Sequence, residues 1–309
     1  MSFALQICGL SKTYANGVQA LDDVSLTIGP GMYGLLGPNG AGKSTLMRTI
    51  ATLQEADTGS ARLGAIDVLR DKDAVRRILG YLPQDFGVYP KVSAETLLDH
   101  LARLKGLNDH ATRRDVVATL LKQTNLYEVR NKALGSFSGG MRQRFGIAQA
   151  LLGNPKLIMV DEPTAGLDPE ERVRFHNLLA DIGDDVIVIL STHIVSDVSD
   201  LCGQMAIINK GRVLLAGAPQ SLTAQLENRV WQKAIARSDL DAVKHELPVI
   251  STRLVAGRTL INVVSDGAPG AGFAAVPATL EDVYFAAISG RLHGTPEPSA
   301  EASAASQFA

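Results

Sequence analysis

Met32-Tyr33-Gly34-Leu35-Leu36-Gly37-Pro38-Asn39-Gly40-Ala41-Gly42-Lys43-Ser44 reads as a short apolar strand running straight into a glycine-rich loop. The loop, Gly37 to Ser44, fits the pattern G-x-x-x-x-G-K-[ST], and a helix-like run from Lys43 to Leu53 follows it. Strand, loop and helix in that order make a phosphate cradle. Glycines let successive amides point inward, and the helix N-terminus adds partial positive charge. Lys43 is suited to neutralise β- and γ-phosphates and Ser44 to offer its hydroxyl to Mg²⁺.

Further along, Leu157-Ile158-Met159-Val160-Asp161-Glu162 ends an all-apolar strand on two acids. A buried strand tolerates such a pair only at its mouth, where a cation or ligand satisfies it. Asp161 is placed to hold Mg²⁺ and Glu162 to polarise an attacking water. Helix Glu170–Ile182 and strand Val186–Leu190 follow, an alternation that argues for a mainly parallel sheet with crossover helices. Upstream, Phe3–Leu10 and Gln19–Ile28 read as strands joined by Ala15-Asn16-Gly17. Between about Asp85 and Lys132 the chain turns helical, with Ser93 as a cap and Leu97, Leu98, Leu101 and Leu104 on one face. Another helix, Gly139–Leu152, ends at Gly153-Asn154-Pro155. After Ser221 come a strand at Val230–Ala236, a helix at Asp239–Leu247, a hairpin turned at Ala256-Gly257 and a final helix at Leu280–Ile288. The end from about His293, rich in Pro, Ala, Ser and Glu, reads as a disordered tail.

Composition bounds the function classes. The chain has 309 residues, 46% of them hydrophobic, and a formal net charge of −2, which gives no footprint for nucleic acid. Apolar stretches are strand-sized, far short of a membrane span. Phe3–Ile7 lacks a preceding basic region and reads as a strand rather than a signal peptide, so a cytoplasmic location is expected. Cys8 and Cys202 match no metal spacing and are expected to be reduced, buried fillers.

Taken together, these residues resemble the ABC ATPase family, from about Met1 to Ser221. Ser138-Gly139-Gly140-Met141-Arg142-Gln143 looks like its signature motif, with Phe137 where leucine is usual. The resemblance implies that Ser138, Gly139 and Gly140 bind the γ-phosphate of an ATP held by a second subunit. Gln84 in Leu82-Pro83-Gln84-Asp85 is similar to the Q-loop residue that touches Mg²⁺ and water. Asp168 in Ala165-Gly166-Leu167-Asp168 matches the D-loop, with alanine in place of the usual opening serine. His193 in Ser191-Thr192-His193 matches the switch histidine that bridges γ-phosphate and Glu162. Tyr14 resembles the aromatic that stacks on adenine, and Thr45 joins Gly37–Ser44 in the nucleotide-binding set.

The implied fold is a P-loop α/β core with a mainly parallel sheet, an antiparallel β subdomain, a helical insert (about 85–152) and a small C-terminal α+β appendage. The division expected is 1–220 for the ATPase, 221–290 for the appendage and 291–309 for the tail. The implied function is ATP hydrolysis in a nucleotide-sandwich dimer with Mg²⁺, driving transport through separate transmembrane permease subunits. The chain would then sit on the cytoplasmic face of the membrane. Leu104-Lys105-Gly106-Leu107, Met141-Arg142-Gln143-Arg144 and Leu280-Glu281-Asp282-Val283-Tyr284-Phe285 resemble export-type members. The alternative is a non-transport ABC ATPase working on nucleic acid or in translation. A single phosphate loop, near-neutral charge and no sustained heptads between Lys43 and Phe137 weigh against it.

Overall fold

Period-two burial builds the first sheet. Leu5, Ile7 and Leu10 of β1 (Leu5–Thr13) and Val24, Leu26 and Ile28 of β2 (Gln19–Ile28) are buried. A register shift between Ile7 and Leu10 returns Leu10 to the inner face despite the odd spacing. The computed structural model describes residues 3–182 and 185–292, so the tail expected from His293 lies outside the described residues.

The chain continues through β3 (Gly31–Leu36), α1 (Lys43–Ile50), β4 (Thr58–Leu63), β5 (Ile66–Asp67), α2 (Lys72–Ile78) and β6 (Leu79–Leu82). Three longer helices follow: α3 (Ala94–Leu104), α4 (His110–Gln123) and α5 (Gly139–Ala150). Next come β7 (Leu157–Asp161), α6 (Pro169–Ala180), β8 (Ile187–Thr192), α7 (Val195–Leu201), β9 (Gln204–Asn209) and β10 (Arg212–Gly217). The last stretch holds α8 (Pro219–Ala224), β11 (Val230–Ile235), α9 (Leu240–Glu246), β12 (Val249–Val255), β13 (Arg258–Val264), β14 (Ala274–Ala275) and α10 (Leu280–Ile288).

The central sheet runs β10-β9-β3-β8-β7-β6 and is parallel except for the β10–β9 hairpin. An antiparallel sheet, β2-β1-β4-β5, packs on one face, and Leu35, Met47 and Ile50 share its core with Leu5 and Leu63. On the other face Phe175, Leu178 and Leu179 of α6 meet Ile158, Val160 and Val188. Helices α3 to α5 have their own core around Leu98, Leu121, Leu134 and Phe145. The third sheet, β12-β13-β11-β14, joins α10 and α8 in one cluster with Leu36, Leu190 and Val198 of the central sheet and α7. Burial of Val283, Tyr284, Ala286 and Ala287 makes α10 a packing helix.

Several boundaries depart from the sequence reading. The helix from Lys43 stops at Ile50 because Thr52 takes a left-handed φ of 62° and turns Leu53 outward. The stretch from Asp85 stays irregular until Ser93, whose hydroxyl accepts from the Thr96 amide and starts α3. Cys202 is a buried filler, its thiol pushed up to about 12 by desolvation. Cys8 is not: it lies on the outward phase of β1 and is exposed, which corrects that expectation.

Candidate functional site

Four parallel strands deliver the sequence-predicted residues to one edge. In register, Leu36 of β3 pairs with Thr192 of β8, Ser191 with Asp161 of β7, and Val160 with Leu82 of β6. The phosphate loop, His193, the acid pair and Gln84 all follow these C-terminal strand ends. Ligands of open α/β sheets bind at such an edge.

The loop Gly37–Gly42 is shaped by its glycines. Gly42 has a φ of 106° and precedes α1, and a Cβ there would come within 2.4 Å of the Ala20 carbonyl. Neither the dihedral nor the space admits another residue. No side chain caps α1, and its first turn holds no acid. By contrast α3, α4, α5, α6 and α10 are each capped by their own Ser, Asp or Thr. The start of α1 thus keeps its positive end available to an anion. Ser44 lies half-buried in the first turn, beside the buried Thr45, and Asn39 and Gly40 form the exposed rim.

Lys43 is buried and its ammonium is held from three sides. It donates to the carbonyls of Gly37 (2.7 Å) and Pro38 (3.2 Å), and Glu162 Oε1 lies 3.5 Å away. Desolvation lowers its pKa, with Glu162 and Asp161 opposing that shift. Glu162 Oε2 is 3.1 Å from His193 Nδ1, so one carboxylate joins the cradle lysine to the strand-end histidine. Glu162 itself takes a left-handed φ of 49°, anchored by its amide donating to Ser191 O at 2.8 Å. Such a conformation costs roughly 1 kcal/mol for an L-residue and is concentrated at functional sites.

Asp161 is buried, and among the described residues its Oδ1 has no hydrogen-bond partner; neither has the Oγ of Ser191 opposite it. Buried polar oxygens left unpaired are costly. A hard divalent cation seeks this kind of oxygen donor, so the residues present fit Mg²⁺.

The remaining positions sit around this centre. Tyr14, just past β1, places its hydroxyl 3.1 Å from Thr45 Oγ1 and 3.2 Å from Gln54 Oε1, beside the phosphate helix. Gln84 is exposed two residues beyond β6. Ser138 caps α5 by accepting from the Met141 amide at 3.1 Å. Among the described residues, no hydrogen bond ties Ser138 to the phosphate loop. Gly140 leaves room for the Glu171 carboxylate, which pairs with Arg144: a Cβ there would lie 2.3 Å from it and displace that side chain. Asp168 caps α6, accepting from the Glu171 amide at 2.8 Å. Ser191, Thr192, Thr164 and Asp197 were missed by sequence reasoning. Two hydroxyls closing an otherwise apolar strand, Ser191-Thr192, were the available signal.

Comparison with known proteins places the chain in a family. A family model described as ABC transporter matches residues 21–165. The ABC transporter ATP-binding protein YxlF of Bacillus subtilis is 31% identical over 300 residues, covering 92% of this chain and 99% of the relative. The daunorubicin/doxorubicin resistance ATP-binding protein DrrA of Streptomyces peucetius is 36% identical over 229 residues, 74% of this chain and 69% of its own length. Among solved structures, the dimeric post-hydrolysis state of the ATP-binding cassette MJ0796 bound to ADP and Pi superposes with a TM-score of 0.63 at 28% identity. It covers 69% of this chain and 98% of that one. The phosphate loop, the strand-end acid pair and a full-length relative agree: the chain belongs to the ABC transporter ATP-binding family and is an ABC-type ATPase.

Proposed function

We propose that two copies of this chain sandwich two ATP molecules, each between the Gly37–Thr45 cradle of one copy and Ser138, Gly139 and Gly140 of the other. The observation that carries this reading is the continuous Lys43–Glu162–His193 arrangement at the strand ends. Ser138 supports it from the other side. Its hydroxyl accepts locally from the Met141 amide and keeps its own proton to donate. The dimeric MJ0796 cassette supports the same assembly.

In this reading Lys43 neutralises β- and γ-phosphate charge, and Tyr14 packs against adenine. Glu162 accepts the proton of the attacking water, and His193 aligns Glu162 with the γ-phosphate. Ser44, Asp161 and Gln84 hold Mg²⁺, which supplies electrostatic stabilisation to the phosphoryl oxygens. Asp168 contributes to the cross-subunit contact at the start of α6. Closure follows γ-phosphate contacts and reverses on hydrolysis.

The unit 1–220 is the ATPase, with 221–290 an accessory region. Transport passes through separate transmembrane subunits, and the chain is peripheral on the cytoplasmic face. No described helix is long and apolar enough to cross a membrane, which supports a borrowed membrane part. The part of the helical insert from about Asp85 to Lys132, just beyond Gln84, is the docking element. It borders an open, mainly apolar groove of about 390 Å³ lined by Leu53, Tyr81, Leu101 and Leu104. Export is the direction supported by the resistance protein DrrA.

The sandwich is tested by light scattering on Glu162→Gln. With saturating ATP-Mg²⁺ it is expected to be dimeric, and with ADP monomeric. A monomer under both conditions overturns the assembly.

A further inference from the structure

Asp197, on the short helix α7, is fully buried at 0% exposure, yet takes no part in the cradle. Its two oxygens collect donors from three separate segments. Oδ2 accepts from Thr164 Oγ1 at 2.6 Å and Thr192 Oγ1 at 3.3 Å. Oδ1 accepts from Arg172 Nε at 2.9 Å, lies 2.7 Å from Arg172 Nη2, and is 2.9 Å from His176 Nε2. Arg172 also donates to Ser196 Oγ at 2.6 Å, and Thr192 Oγ1 accepts from the Ile194 amide at 3.0 Å.

What these segments carry gives the cluster its meaning. Thr164 lies two residues after Glu162, and Thr192 immediately precedes His193. Arg172 and His176 stand on α6, whose first turn is capped by Asp168. Burying a carboxylate is expensive, and a well-packed apolar side chain would often serve stability as well or better. Here the carboxylate is fully engaged and ties the two ends of the Glu162–His193 pair to the helix that begins at Asp168. Satisfied buried networks of this kind fix one geometry.

We propose that Asp197 is a positioning residue for ATP hydrolysis, holding Glu162 and His193 in mutual register and coupling that register to the start of α6. The proposal rests on the roles assigned above to Glu162 and His193. Asp197 acts through Thr164, Thr192, Arg172 and His176. Because the Lys43 cradle is not part of this network, the proposal separates turnover from ATP affinity.

The test is steady-state ATPase kinetics of the full chain with ATP-Mg²⁺, each rate normalised to the number of nucleotide sites titrated with fluorescent ATP. Displacing a reacting group by a fraction of its working geometry costs up to about 100-fold, so Asp197→Ala is expected to lower kcat by about 10-fold to 100-fold. Its KM for ATP and site stoichiometry stay within about twofold, since the cradle is untouched. Thr164→Val, which deletes a single hydroxyl, lowers kcat in the same direction. The double variant is no slower than Asp197→Ala alone, because the Thr164 hydroxyl acts only through its bond to Asp197, which that variant has already removed. If Asp197→Ala does not fold, Thr164→Val carries the same separation of kcat from KM. The proposal is overturned if normalised kcat is unchanged, or if rate and site number fall together as a purely structural role requires. Glu162→Gln serves as the control: unimpaired turnover there rejects the assignment of Glu162, not the role of Asp197.

Discussion

Glu162→Gln is expected to bind ATP at least as tightly as the unaltered chain and to hydrolyse it about 10² to 10⁴ times more slowly, the range lost with a general base. Glutamine keeps the volume and the hydrogen-bonding reach of the side chain but cannot take a proton. Lys43 retains its bonds to the Gly37 and Pro38 carbonyls, so the cradle keeps its shape. Removing a carboxylate 3.5 Å from the lysine also removes an anion that competes with phosphate for it. Phosphate release at saturating ATP-Mg²⁺, measured beside the dissociation constant for a fluorescent ATP analogue, checks both halves. Turnover within tenfold of the unaltered chain would remove Glu162 from its role.

Lys43→Ala should act on the other quantity. Hydrogen bonds to charged groups contribute about 1.5–3 kcal/mol each, so losing the ammonium weakens ATP binding by about 10-fold to 150-fold per contact. ADP loses less, because it lacks the γ-phosphate. The pH dependence has a definite sign. Burial depresses the lysine's pKa, and the ammonium is the form that binds phosphate. ATP affinity therefore falls as pH rises toward that lowered value, and Lys43→Ala flattens this dependence. Equilibrium titration with nucleotide across alkaline pH is the measurement. Unchanged affinity in Lys43→Ala would contradict the phosphate cradle.

The parts legible in the sequence are those where local chemistry and tertiary demand agree. Gly37 to Ser44 could be read because a backbone wrapped around phosphate requires glycine at fixed offsets. The strands ending at Leu36, Val160 and Leu190 could be read because a doubly covered parallel strand is continuously apolar. Thr58–Leu63 was not legible. Only Ala61 and Leu63 are buried, and its extended state comes from pairing with β1, where Leu5 faces Leu63. Nor was the passage from α2 into β6, where helix meets strand between Ile78 and Leu79 with no turn residue to mark it. In the site, residue identities were readable but their coupling was not. The left-handed backbone of Glu162, the unpaired oxygens of Asp161 and Ser191, and the burial of Asp197 arise only from how strands and α7 come together.

The composite site between two copies can be tested by mixing two variants that are each inactive alone. Lys43→Ala destroys the cradle, and Ser138→Phe blocks the opposing anion site. In a mixed dimer one of the two ATP positions combines an intact cradle with an intact Ser138. Mixing equal amounts is therefore predicted to restore ATPase activity, up to about a quarter of the unaltered rate for random pairing in a twofold assembly. A mixture as inactive as its separate components would contradict the shared site.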